Sequence, residues 1–122
     1  MPRLLRDTHF VLEHYAAPAF IRLARTAEPV RSHDQVVSSL QACRDALQMT
    51  QLSRLGILID WRLTPAVHNG AALERAVVAD VEAFVAPFAR SAVLLLAAAP
   101  AWSSTKLLVF EDEDAAIAHV CD

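Results

Sequence analysis

Glycine is almost missing from this chain: 2 of its 122 residues, Gly56 and Gly70. Phosphate cradles of the Walker or dinucleotide type need several glycines within a few positions, so they are excluded. Cysteine is equally scarce, and Cys43 and Cys121 lie far apart. They form neither a disulfide framework nor a Cys-x-x-Cys site, a usage that suits a reducing, cytoplasmic compartment. Lysine occurs once against 10 arginines, and net charge is −3 with pI near 5.9. No basic patch stands out, so a nucleic-acid partner is not expected. Long apolar runs are absent too. The longest uncharged stretch, Ser91 to Thr105, has 15 residues and is broken by Pro100. A bilayer span needs about 20 apolar residues, so this stretch reads as a buried strand and no integral membrane segment is expected. The opening residues put charge at Arg6 and Asp7 and hold no apolar leader core, so no signal peptide is read there.

What is abundant is small and apolar. Alanine, leucine and valine number 23, 16 and 12. Hydrophobic types reach 55% and charged types 20%, which excludes a disordered regulator. The length suits one α/β domain over residues 1–122, with its core between about residues 8 and 120.

Hydrophobic period places the elements. His9 to Tyr15 is rich in strand formers, and Ala16-Ala17-Pro18 interrupts it. Phe20 to Arg25 then alternates, with Ile21 and Leu23 on one side and Arg22 on the other, so the two runs predict a hairpin. Ser32-His33-Asp34-Gln35 has the Ser-x-x-Gln form of a capping box. Val36, Leu40, Cys43 and Leu47 recur as one helical stripe behind it. Leu55 to Asp60 is a short unbroken apolar run, as expected of a strand buried on both faces. Asn69 stands ready to cap a second helix, whose apolar face is Leu73, Val77, Val81, Phe84 and Phe88. Pro87 should end it near Ala86. Ser91 to Leu96 and Leu107 to Phe110 are two further strands, and Glu111 to Asp114 opens a last helix carrying Ala116, Ile117 and Val120. The predicted order is β-β-α-β-α-β-β-α, a mixed, mostly parallel sheet with an N-terminal antiparallel hairpin. The last two strands are about ten residues apart, close to the minimum for a parallel crossover. Either a compact helical turn joins them near Ala101 to Ser104, or they pair antiparallel.

Chemistry is hard to find. Of five histidines, none forms a His-Glu-x-x-His motif, a Cys/His cluster or an i, i+4 pair, so His9, His14, His33, His68 and His119 read as surface imidazoles and no metal site is expected. Spacing would put His9 and His14 on opposite strand faces. The acidic run Glu111 to Asp114 complements a helix dipole. No Gly-x-Ser-x-Gly elbow exists, and Cys43 sits on a core stripe. No catalytic or cofactor-binding residue is therefore assigned. One locus carries more content. Asp60 ends the most buried strand, and the loop after it feeds a helix start, where α/β sheets place their sites. Asp60, Trp61, Arg62, Thr64, His68 and Asn69 form a candidate interaction loop. Trp102, in a connecting segment, is a candidate surface anchor.

The hairpin, the helix after Arg31-Ser32-His33, the strand Ile57-Leu58-Ile59-Asp60-Trp61-Arg62, the long second helix and the ending Val109-Phe110-Glu111-Asp112-Glu113-Asp114-Ala115-Ala116 together resemble the SpoIIAA-like (STAS/SEC14-like) family. The resemblance spans about residues 8 to 120 and is nearest to stand-alone bacterial domains. In these, a strand ending in Asp and Arg precedes a Pro/Asn loop and a helix with an early Glu, here Asp60, Arg62, Pro65, Asn69 and Glu74. It implies a layered α/β domain acting as a protein-binding switch. The family's switch is a phosphorylated Ser or Thr in an Asp-Ser-x-Gly loop. Here His68-Asn69-Gly70-Ala71 stands there, and asparagine has no hydroxyl to modify.

The expectation is a non-catalytic regulatory or protein-interaction module, cytoplasmic, binding an unknown protein partner or a second copy of itself as a homodimer. The alternative is a small apolar-ligand or lipid carrier, which needs a cavity. A hydrolytic enzyme pairing Asp60 with His68 ranks last, since both must reach one reacting group.

Overall fold

The computed structural model describes residues 3–50, 54–63, 70–96 and 107–121. Among them the order is β1 (Arg3–Arg6), β2 (Phe10–Ala16), β3 (Ala19–Arg25), α1 (His33–Thr50), β4 (Ile57–Asp60), α2 (Gly70–Val85), β5 (Ser91–Leu94), β6 (Leu108–Phe110) and α3 (Glu113–Cys121). The six strands lie in one sheet in chain order. β1, β2 and β3 pair antiparallel, and β3 to β6 run parallel.

Alternation explains the layers. On β3, Ile21, Leu23 and Arg25 point to one face, and Phe20, Arg22 and Ala24 to the other. On β4 the same split separates Ile57, Ile59 and the following Trp61 from Leu58 and Asp60. Each β3–β4 partner pair, such as Leu23 with Ile59, shares a face. The first face packs on α1 and α2 through Phe10, Leu12, Ile21, Leu23, Ile59 and Val93. The second packs on α3 through Phe20, Leu58, Ala92, Leu94, Ala116 and Val120. Successive right-handed crossovers that step in one direction put α1 and α2 on the same face. Among the described helices only α3, which follows the edge strand β6, crosses to the other. It lies over β3 to β6.

The helical stripe of α1 is buried at all four positions: Val36, Leu40, Cys43 and Leu47. Leu73, Val77, Val81 and Phe84 do the same for α2. That helix ends at Val85, one residue before the break expected from Pro87, and Phe88 then turns back to donate its N–H to the Val85 carbonyl. At the expected capping box the glutamine arm lands one residue further back. Gln35 Oε1 reaches back to the N–H of Arg31, at 2.8 Å, rather than to that of Ser32.

Three expectations need correction. The chain opens with an additional strand, β1, so the order is β-β-β-α-β-α-β-β-α. Its two leucines stand between arginines, too short a pattern to read, and it pairs with β2 through an irregular register between Arg3 and Leu5. β5 and β6 pair parallel, which overturns the antiparallel alternative. The segment proposed to join them by a helical turn, Ala101 to Ser104, lies outside the described residues. Finally, His9 is not a surface imidazole. It is buried beside Ser39, just before β2 begins.

Candidate functional site

Four charged side chains meet where β3, the end of β4 and the start of α3 converge. Arg22 points from β3 toward α3 because alternation puts it on that face. Asp60 follows Leu58 onto the same face at the last residue of β4. Arg62 comes two residues later, and Glu113 is the first residue of α3. Asp60 is the hub. Its Oδ2 accepts from Arg22 Nη2 at 2.6 Å and from Arg62 Nη2 at 2.8 Å, and its Oδ1 accepts from Arg62 Nε at 2.9 Å. The same Oδ1 takes the Arg62 backbone N–H at 3.2 Å, closing a turn. Glu113 Oε2 accepts from Arg22 at 2.7 Å and from Arg62 at 3.3 Å.

The cluster is neutral, two cations against two anions, and graded in depth. Side-chain exposure is 10% for Arg22, 12% for Asp60, 38% for Arg62 and 41% for Glu113. Burial alone would raise the Asp60 carboxyl, but the hydrogen bonds from Arg62 and Arg22 outweigh it and hold the group below the usual carboxylate range. Burial opposes the charge on Arg22 as well, and hydrogen bonds to Glu113 and Asp60 overcome it and raise its pKa. For Arg62 the bonds to Asp60 dominate and raise the value. Arg22, Asp60 and Arg62 are thus each fixed further into the charged form. A proton-transfer group needs the opposite, a pKa drawn toward neutrality.

The acidic run at the last helix is corrected by this geometry. Asp112 does serve the helix start, its Oδ1 accepting the Asp114 N–H at 3.2 Å. Glu113 instead turns inward to the two arginines.

Beside the cluster the sheet face beyond the cover of α3 forms a depression of about 470 Å³. Arg6, Val11, Glu13, Arg22, Ala24 and Leu63 line it. Arg6 pairs with Val11 across β1 and β2, which puts both on this face. Among the described residues Arg6 has no carboxylate within ion-pair distance. Leu63 is 52% exposed at the rim.

Three further groupings involve residues that could carry chemistry. Arg25, on the opposite face of β3, forks onto Glu74 of α2 at 2.7 and 3.1 Å, with its guanidinium carbon 4.7 Å above the Trp61 ring. This assigns Glu74 a structural partner, and it puts Trp61 in the core at 1% exposure, against Phe10, not on the surface of the interaction loop. Asp7, His9 and Ser39 come together in sequence-distant fashion. The Ser39 hydroxyl donates to Asp7 Oδ2, and His9 Nδ1 lies 3.5 Å from it. The hydroxyl proton is thus directed to the carboxylate and not to an imidazole base, unlike an activated serine. His33 binds Asp80 and ties α1 to α2. No group of three or more metal-ligating side chains occurs among the described residues.

Of the six loop residues expected to act together, Asp60 and Arg62 are joined directly and Trp61 faces away. Thr64, His68 and Asn69 lie outside the described residues, as does Trp102. Arg22 and Glu113 were missed by sequence reasoning. They stand 91 residues apart, and the one available signal was an arginine inside an otherwise apolar strand. No protein-family model, no curated protein and no solved structure matches this chain.

Proposed function

We propose that this chain is a non-catalytic protein-interaction module, a regulatory domain of the SpoIIAA-like (STAS) kind that lacks the switch serine. The observation that carries the reading is the depression next to the ion cluster. It offers exposed Leu63, half-buried Val11 and an Arg6 without an acidic partner among the described residues, on a face that α3 leaves uncovered. Such a surface suits a protein segment that lays an apolar side chain on Leu63 and Val11 and a carboxylate on Arg6. The cluster behind it supplies a stiff floor. Its four members satisfy one another, and Arg22, Asp60 and Arg62 are each held in the charged form, which supports binding over acid–base catalysis. A partner in the reducing cytoplasm suits the two free thiols.

The test is photo-crosslinking in cells. A photoreactive side chain at Leu63 or Val11 should give a discrete adduct, and one at Val37 on α1, 48% exposed, should not. The adduct protein, purified, should bind the wild-type chain and lose about tenfold or more in affinity for Leu63→Asp and Arg6→Glu. Equal labelling at all three positions, or unchanged affinity of both variants, overturns the reading. An adduct with a second copy of the chain would make the partner a homodimer.

A further inference from the structure

At the other end of the molecule, where α1 and α2 finish, a cleft of about 480 Å³ opens between the two helices. Leu47, Phe84, Pro87 and Phe88 form its apolar wall, and Arg44 and Arg54 stand at it. Phe84 and Phe88 sit ring to ring at 6.0 Å, tilted by 40°. The Arg44 guanidinium lies 5.5 Å over the Phe84 ring. Among the described residues, neither Arg44 nor Arg54 has a carboxylate within 4.0 Å. Both are therefore open to an external anion, unlike Arg22, Arg25 and Arg62, which are paired within the fold. The molecule as a whole is acidic, at −3. Both helices direct their C-terminal ends here, each worth about half a negative charge. Two full positive charges exceed that sum, so the cleft keeps a net positive character of about one charge.

We propose that this cleft binds a small amphipathic carboxylate, its apolar chain against Phe84, Phe88 and Leu47 and its carboxylate between Arg44 and Arg54. The volume falls within the range of small-molecule sites, roughly 300 to 1,000 Å³, and a wall of aromatic side chains with a few polar groups is their usual lining. Two guanidiniums flanking an apolar wall match one end of such a molecule each to its own chemistry. A neutral apolar ligand would leave both arginines idle, and a dianion would find no apolar share. This site is separate from the depression beside Asp60. It lies on the α1–α2 face and at the end of the sheet where the parallel strands begin.

The experiment is an amide-resonance NMR titration of the full chain with sodium octanoate, alongside 1-octanol as the neutral probe of equal chain length. Octanoate should shift the amides of Leu47, Phe84 and Phe88 saturably. Octanol should bind about tenfold more weakly, the loss expected for one charge-assisted contact. The double variant Arg44→Gln, Arg54→Gln should reduce octanoate to the octanol level. Its spectrum should be otherwise unchanged, since Arg54 is exposed and Arg44 half-buried. Shifts that fail to saturate in the millimolar range, shifts centred on Asp60, or equal affinity for the two probes each overturn the proposal. Retention of octanoate affinity by the double variant does so as well. None of these outcomes bears on crosslinking at Leu63, so the two sites stand or fall separately.

Discussion

A side chain at position 56 has nowhere to go. A Cβ built on Gly56 would fall 1.9 Å from the carbonyl oxygen of Val120 and 2.8 Å from its carbonyl carbon. Those are backbone atoms of α3, so no rotamer change relieves the clash; the helix itself must move. Gly56 also sits where β4 begins, its carbonyl accepting the Ile21 N–H at 2.9 Å. One of only two glycines in the chain is therefore spent on letting a helix lie directly on a strand. Gly56→Ala should cost about 3 kcal/mol, at the upper end of overpacking effects, because the obstacle is backbone. Urea denaturation measures the loss. The displacement should also be local. Cys121, half-buried on α3 with its Sγ 3.7 Å from the Ala19 carbonyl, should react faster with a thiol reagent, and Cys43 in the other core should not. Faster reaction of both cysteines would mean general loosening and would contradict the packing assigned to Gly56.

At the scale of elements, α3 is held to the sheet by two different devices. Ala116 and Val120 bury small apolar surface against Phe20, Leu58 and Leu94. Glu113 and the arginines pin its first turn to β3 and to the end of β4. The depth of each ion predicts its weight. Asp60→Asn removes the most buried acid of the cluster and leaves both arginines to the half-exposed Glu113, a loss of about 3 kcal/mol as for broken buried pairs. Arg62→Gln removes a partner that is 38% exposed, and it should cost less than about 1 kcal/mol. Equal effects in urea denaturation would mean that Asp60 is better solvated than its 12% exposure implies. This contrast also marks what a sequence can show. The alternation Phe20 to Arg25, the α1 stripe and the unbroken run at Ile57 are local, and each became the element expected of it. Asp60 and Arg62 were legible because they flank a strand end. Their partners were not, since an ion pair 91 residues apart leaves no periodic trace. Alternation set Arg22 on the side opposite Ile21 and Leu23; whether a helix covers that side is decided by α3. Trp61, adjacent to a polar loop, follows Ile57 and Ile59 onto the core face by parity alone. β1 escaped notice because two leucines give no period, and only pairing with β2 makes them a strand.

For the whole molecule, the charged cluster and the buried thiol set opposite limits on stability. The Asp60 carboxyl titrates lower in the folded state than in the unfolded chain, whose value is about 3.9. As pH falls below that value the unfolded state takes up a proton that the folded state refuses. The contribution of Asp60 is therefore complete above about pH 5 and fades as pH drops through the folded value. Cys43 acts in the other direction. Burial in the α1 stripe pushes its thiol up from 9.0 to about 12. Above pH 9 the unfolded thiol ionises and the folded one does not, so its contribution is complete below pH 9 and lost toward pH 12. Arg22 and Arg62 are raised further from an already strongly basic value, so they bend neither limb. The urea midpoint should therefore form a plateau across neutral pH, falling on the acid side through Asp60 and on the alkaline side through Cys43. Asp60→Asn should lower the plateau and flatten the acid limb, leaving the alkaline limb in place. Cys43→Ala should lower the plateau through its cavity and flatten only the alkaline limb. Measured from about pH 3 to about pH 11, two variant curves that merely run parallel to the wild type would show that neither group carries the linkage its surroundings imply.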